Sequence, residues 1–541
     1  MIVPCSQLTV LIHDDSNPSQ TLGDGLGERH SPPSSMRGAF LFLSTLSFAQ
    51  YGFAHPGSHN APQRRRFPLG RRSSSLFISP AAIPDLPTTE AVAALDNSLN
   101  TDNIQSDVLV GMRKATELFV FFKINNPATF KSKLSSDIIP LITTTTEIQS
   151  VDTQPVTAVN LAFSQTGLHA LGVTDDLGDP NFSTGQFADA VTVGDNPSTW
   201  NTAFAGTSIH GAFLLASDTV AHINTQLASI QSTLGASITV LYELQGAARP
   251  GSESGHEHFG FMDGISQPAV SGFTNPIYPG QTPVDAGLFL LGEASDPNIT
   301  ARPTWTKDGS FLVFRQLQQL VPEFTKFPKG RLYWALAWSA AGRVEPRFSF
   351  PQRKTTPVLA ADPNRNNNFT FTFPNLPEPG TENHFNQTNC PFSAHIRKVH
   401  PRGDLDPSVE NPHFIIRSSI PYGGEVTSAE TASAKTANDR GLAFVAYQSN
   451  IFNGFVFLQS IWINNVGFPF GKVDPTVGVD PIIGTLSGGP KNISGLDPAV
   501  FYLNQTDVAH DVVIPQDYVV SRGGEYFFSP SLSGLSHIAA A

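Results

Sequence analysis

The sequence predicts helices packed on β-sheet, arranged in at least two packed units. Three observations carry this. The chain has 541 residues, too many for one ordinary hydrophobic core. Short runs rich in β-formers are almost fully apolar, beginning with Glu117-Leu-Phe-Val-Phe-Phe-Lys123. The stretch from Gly211 to Leu244 reads as strand, amphipathic helix, strand, which calls for a sheet with a helix laid on it.

Composition is that of a folded chain: 40% hydrophobic, 14% charged, with 40 Phe and only 4 Met. The formal net charge of −12 argues against nucleic acid and against anionic membrane as partners, because both repel an acidic surface.

The first 80 residues read as targeting and processing sequence. Met36 to Ala54 has a basic start, an apolar run and small residues near its end, the pattern of a secretory signal. It is too short to span as a mature membrane helix. We therefore read 1–54 as a signal region with a doubtful upstream extension before Met36. Residues 55–80, with Arg64-Arg65-Arg66 and Arg71-Arg72, read as a propeptide. Six Asn-x-Ser/Thr sequons, at Asn181, Asn298, Asn368, Asn386, Asn492 and Asn504, fit a secreted, extracellular glycoprotein. Only Cys5 and Cys390 exist, and Cys5 precedes the signal, so the mature chain has no internal disulfide. Cys390, beside Pro391 and Phe392, reads as a buried inert thiol.

Along the mature chain, Glu117–Lys123 is a buried strand, and Asn160–Leu171 mixes a strand, a turn and a helix start. Gly211–Ser217 is a strand, Asp218 a helix cap, and Val220, Ile223, Leu227, Ile230 and Leu234 one apolar stripe. Ser237–Leu244 is the returning strand. The Pro- and Gly-rich stretch from Pro268 to Ala286 looks like a connection, which divides the chain into units at 81–275 and 276–541. The second unit opens with Gly287–Gly292 and continues with strands at Ser310–Leu317 and Gly441–Gln448; Asn450–Asn464 has helix-like spacing.

Three stretches carry chemistry. In Gly260-Phe-Met-Asp263-Gly264, glycines on both sides allow a bent backbone that brings a carboxylate close to a flat ligand, although a lone Asp-Gly is more often a turn. In Cys390-Pro-Phe-Ser-Ala-His395-Ile-Arg-Lys-Val-His-Pro-Arg402, one histidine precedes a basic run; neutral imidazole is an axial ligand for haem iron, and the basic residues suit propionates. Arg417 ends an apolar run and needs a partner or a cavity holding a polar ligand. Other constellations are weaker. His256-Glu-His258 has metal-like spacing without an evident third ligand, and no Gly-x-Ser-x-Gly elbow is present for a hydrolase.

These stretches resemble, in order and rough spacing, the motifs of the dye-decolorizing peroxidases, most closely the secreted fungal type, from about Ile104 to the C-terminus. The resemblance implies an α+β fold of two ferredoxin-like domains, antiparallel sheets with helices, and one haem b in a cleft between them. It implies His395 as proximal iron ligand, Asp263 as distal acid–base and Arg417 as distal arginine. It further implies Leu442 and Phe444 as distal-pocket lining, Arg402 near a propionate and Asp480 as the carboxylate behind His395. The implied activity is oxidation of bulky aromatics, such as dyes, phenolics and lignin-related compounds, with hydrogen peroxide through a ferryl intermediate. Tyr422, five residues from Arg417, is a candidate surface radical site for substrates too large to reach haem. The alternative from another class is a haem-binding or haem-handling protein of the same fold with little turnover.

Overall fold

A computed structural model describes residues 99–541 except 113, 151–154, 207, 328–363, 365–366, 369–391, 471–476, 486–490 and 494–511. The signal and propeptide segments, Cys390 and the sequons at Asn386 and Asn504 lie outside the described residues.

Nine strands form one sheet: β1 (Thr116–Ile124), β2 (Thr157–Phe163), β3 (Gly211–Ser217), β4 (Ile238–Ala247), β7 (Ser310–Gln319), β8 (Ile416–Arg417), β9 (Ile420–Tyr422), β10 (Gly441–Gln448) and β13 (Val519–Ser529). Two small two-stranded pairs, β5 (Ala269–Val270) with β6 (Pro283–Val284) and β11 (Lys491–Ile493) with β12 (Val512–Ile514), complete the numbering. The order is β7-β13-β2-β3-β1-β4-β9-β10-β8, and β7 also pairs with β10, so the sheet closes on itself as a barrel.

Each half supplies four barrel strands with the first between the fourth and the third: β4-β1-β3-β2 in one, β13-β7-β10-β9 in the other, with the two-residue β8 also paired to β10. That is the ferredoxin-like order, twice, with antiparallel pairing throughout the barrel. The halves meet through single bridges, Gly246↔Tyr422 and Phe528↔Phe163. Closure leaves few open edges, which is how a sheet this apolar avoids pairing with other chains.

The strands read as continuous apolar runs because both faces are buried. On β1, Phe119 and Phe121 point inward: their rings lie 5.0 and 4.8 Å from that of Phe314 on the distant strand β7. Leu118, Val120 and Phe122 point outward, into a second core under the covering helices. Those helices include α1 (Pro127–Lys133), α2 (Val220–Leu234) and α4 (Leu532–Ala540), whereas Val399 of α3 (His395–Val399) packs in a separate cluster with Leu458, Trp462 and Ile463.

Four local expectations change. The cap of α2 is Thr219, whose hydroxyl accepts the His222 N–H at 3.3 Å; Asp218 instead holds the His222 ring at 2.5 Å. Val220 leaves the apolar stripe and is exposed, while Ile223, Leu227, Ile230 and Leu234 stay buried. Gly287–Gly292 is no strand: Ala286–Leu288 makes a tight 3₁₀ turn, and the chain goes on into Leu290 and Leu291 as buried turn residues. The helical stretch 452–463 is wound as π-helix, with i→i−5 bonds such as Val456 N to Ile451 O at 3.0 Å.

Among the described residues, no helix is long and apolar enough to cross a membrane.

Candidate active site

An open cavity lies against the outer face of β7 and β10, with an empty space of about 1760 Å³ including its mouth. On β10, Leu442 and Phe444 line it while Ala443 and Val445 point into the barrel, as strand alternation requires. The other walls include the 257–268 loop from the first half, and α3, the π-helix and the 413–417 and 482–483 segments from the second.

The 257–268 loop is folded by one carboxylate. Glu257 accepts the N–H groups of Phe259 at 2.8 Å and Phe261 at 2.7 Å, and Gln319 of β7 donates to it as well. Gly260 and Gly264 take φ of +92° and +85°, which explains both glycines of the motif. The bend sets Asp263 into the cavity, where Arg417 Nη1 donates to its Oδ1. Gly264 N donates to the same oxygen at 2.7 Å, so both bonds fall on Oδ1. Burial raises the Asp263 pKa, but the Arg417 guanidinium outweighs burial and holds it below the ordinary carboxylate value.

Arg417 sits on β8, a two-residue strand paired with β10 through Ala446. Its Nη2 donates to Ser266 O at 3.2 Å. Its backbone is gripped by Gln267, a residue the sequence reasoning passed over although it lies three residues after Gly264: Arg417 N donates to Oε1 at 3.1 Å and Nε2 donates to Arg417 O at 2.6 Å.

His395 opens α3 and lines the same cavity. Its Nδ1 lies 2.5 Å from Oδ2 of Asp480, which is fully buried and whose Oδ1 accepts Ile482 N at 2.8 Å and Ile483 N at 3.2 Å. Burial lowers the imidazole pKa, but Asp480 outweighs it and leaves it above the ordinary histidine value. With Nδ1 committed, Nε2 is the nitrogen left for a metal.

The cavity fits haem on three counts: the His395 imidazole with Nδ1 held by Asp480, an apolar lining of Leu, Ile, Val and Phe side chains, and a carboxylate–guanidinium pair in the same space. Arg402 stands one layer back. Its Nη2 donates to Asn367 Oδ1 at 2.6 Å and Ser266 Oγ at 3.3 Å, and these two residues, not Arg402, line the cavity. His400, the next histidine of the Cys390–Arg402 stretch, also lines it, and so does Arg315, which was missed. His400 bonds Glu410 through Nδ1, and Arg315 pairs with Asp195 at 2.5 Å. The signal for Arg315 was a charged residue within an apolar run, which alone does not separate a cavity wall from a buried ion pair.

Tyr422 is not a surface residue. It is 4% exposed, held between β4 and β10, with its hydroxyl donating to Asp439 at 3.2 Å. It packs in the barrel core, so the surface location expected for it is corrected. His258, of the rival metal spacing, bonds Tyr422 O at 2.8 Å; among the described residues no group of three or more His, Cys, Asp or Glu could hold a metal ion.

This barrel and site define a class, and comparison with known proteins gives it a family. The "DyP dimeric alpha+beta barrel domain" model matches residues 103–250 and the "Dyp-type peroxidase, C-terminal" model matches 378–468. A dye-decolorizing peroxidase of Mycena epipterygia is 66% identical over 521 residues, 93% of this chain and 99% of the relative. Dye-decolorizing peroxidase AauDyP1 of Auricularia auricula-judae is 48% identical, over 91% and 97% of the two chains. A crystal structure of a fungal DyP-type peroxidase from Auricularia auricula-judae superposes with a TM-score of 0.72 at 47% identity, covering 82% of this chain and all of that one. The chain belongs to the dye-decolorizing peroxidases, a family of haem-dependent enzymes.

Proposed function

We propose that the chain binds one haem b and uses hydrogen peroxide to oxidise bulky aromatic compounds: dyes, phenolics and lignin-related molecules. The observation behind this reading is the Asp263–Arg417 pair sharing one cavity with an Asp480-held His395. His395 would hold the iron through Nε2, Leu442 and Phe444 would pack over the distal face, and Arg402, behind Ser266 and Asn367, would attract a propionate. The bound group supplies the iron at which the peroxide O–O bond breaks and the oxidising equivalents are stored.

The chain's own residues handle protons and charge. Asp263 Oδ1 is taken by Arg417 and Gly264, so Oδ2 is the atom that accepts a proton from one peroxide oxygen and returns it to the other. Arg417 offsets the negative charge that develops on the leaving oxygen. Asp480 keeps the His395 imidazole electron-rich.

Purified protein with a Soret band and peroxide-dependent oxidation of an anthraquinone dye supports the reading. A Soret band without turnover makes the chain a haem-handling protein, and no Soret band overturns both.

We further propose that the protein is secreted and processed, with units at 81–275 and 276–541. N-terminal sequencing of the extracellular form should begin beyond Arg72; finding Met1 or Met36 overturns this.

A further inference from the structure

We propose that Gln267 is a positioning residue that fixes Arg417 against Asp263 by bracketing the Arg417 backbone.

The geometry is specific. A primary amide carries one acceptor oxygen and a donor nitrogen, the same pair that a peptide group offers a neighbouring strand. Gln267 presents both to one residue, 150 positions away: Oε1 to Arg417 N and Nε2 to Arg417 O. The strand Arg417 belongs to has only two residues, and its ladder partner β10 holds it through Ala446 and through Ser418 N to Val445 O at 2.9 Å. Gln267 therefore supplies the second bracket that a longer strand would receive from a neighbour. Its side chain is itself held by burial, at 3% exposure.

The same short segment carries the other partner. Asp263, Ser266 and Gln267 lie within five residues, and Ser266 O accepts from Arg417 Nη2 at 3.2 Å. One loop thus places the carboxylate and fixes both the backbone and the guanidinium of the arginine that pairs with it. Loss of the bracket lets the arginine drift from Asp263, which loses the charge that keeps its carboxyl ionised in acid. The inference rests on the peroxidase reading above, and the test separates the two.

The test uses holoenzyme with Gln267→Glu, which keeps shape but turns the donor facing Arg417 O into a repelling acceptor, and Gln267→Met, which removes both bonds at similar volume. Arg417→Leu and the double variants complete the cycle. The measurements are the rate of reaction with hydrogen peroxide across pH, cyanide affinity by absorption titration, and Tm. The expected result is a rate loss of tenfold or more in both Gln267 variants, an acid limb moved to higher pH, and weaker cyanide binding. In the Arg417→Leu background the Gln267 substitutions should add nothing, because the residue acts through Arg417.

Additive losses, an unmoved acid limb, or wild-type rates overturn the proposal. Loss of haem and a collapsed Tm in both variants also overturn it, by assigning Gln267 to the fold. If Arg417→Leu itself reacts at the wild-type rate, the role given to Arg417 fails first.

Discussion

His395 Nδ1 and Asp480 Oδ2 stand 2.5 Å apart although 85 positions separate them in the chain, and the carboxylate has no exposed surface. Two backbone N–H groups fix its other oxygen, so the imidazole meets a charged acceptor in one orientation. Asp480→Asn keeps the shape and removes the charge. Haem affinity should fall on the order of 10–100-fold, as for other groups that orient a metal-bound histidine, and the iron reduction potential should rise. Haem titration of the apo-protein and spectroelectrochemistry check both; unchanged values would free Asp480 of this role.

Asp263→Asn keeps size and hydrogen bonding but cannot shuttle a proton. The reaction with peroxide should slow by the ~10²–10⁴-fold typical of a lost general acid–base, with the Soret band retained. The sign of the pH effect follows from Arg417, which depresses the Asp263 pKa. The ionised, basic form persists as pH falls, so the wild-type acid limb should lie below the ordinary Asp value of about 3.9. Stopped-flow mixing should show that limb in wild type and none in the Asn variant. An Asn variant as fast as wild type sinks the assignment.

Tyr422, buried and tied to Asp439, has a hydroxyl pKa raised far above the ordinary phenol value by burial first and by Asp439 second. If it relays electrons, Tyr422→Phe should slow oxidation of bulky dyes several-fold more than oxidation of small phenols. Steady-state kinetics on one substrate of each size decide it. Equal slowing of both, or none, makes it a core aromatic.

Behind Arg417 lies a buried network. Lys114 pairs with Glu117 at 2.7 Å, and Ser418 Oγ and the Tyr447 hydroxyl donate to Asp107 at 2.6 and 2.8 Å. Burial pushes the Glu117 pKa up to about 8 against the opposing pull of Lys114. A carboxyl with a raised folded pKa stabilises the fold fully below its unfolded value and loses that contribution as pH rises through the folded value. Tm should therefore decline between about pH 4.5 and 8 from this group, at ~2–4 °C per kcal/mol in a large domain. Glu117→Gln should flatten the decline, measured by calorimetry across that window. An unchanged slope assigns the pH dependence elsewhere.

The amino-acid sequence alone determined the apolar strands, the amphipathic α2 and the three stretches that hold Asp263, His395 and Arg417. Those signals are local: β-formers, helical spacing and glycines around a carboxylate act within a few residues of themselves. The barrel decided the rest. Closure through single bridges, Gly246↔Tyr422 and Phe528↔Phe163, took Tyr422 from an expected surface into the core. The fold also left Arg402 behind Ser266 and Asn367 and brought Gln267 to Arg417, while Asp480 meets His395 outside the barrel, where the family resemblance had put it. Each of these depends on segments tens to hundreds of residues apart meeting within hydrogen-bond distance. No spacing along the chain encodes such a meeting, because it is set by which strands pair and which face of the sheet each side chain occupies.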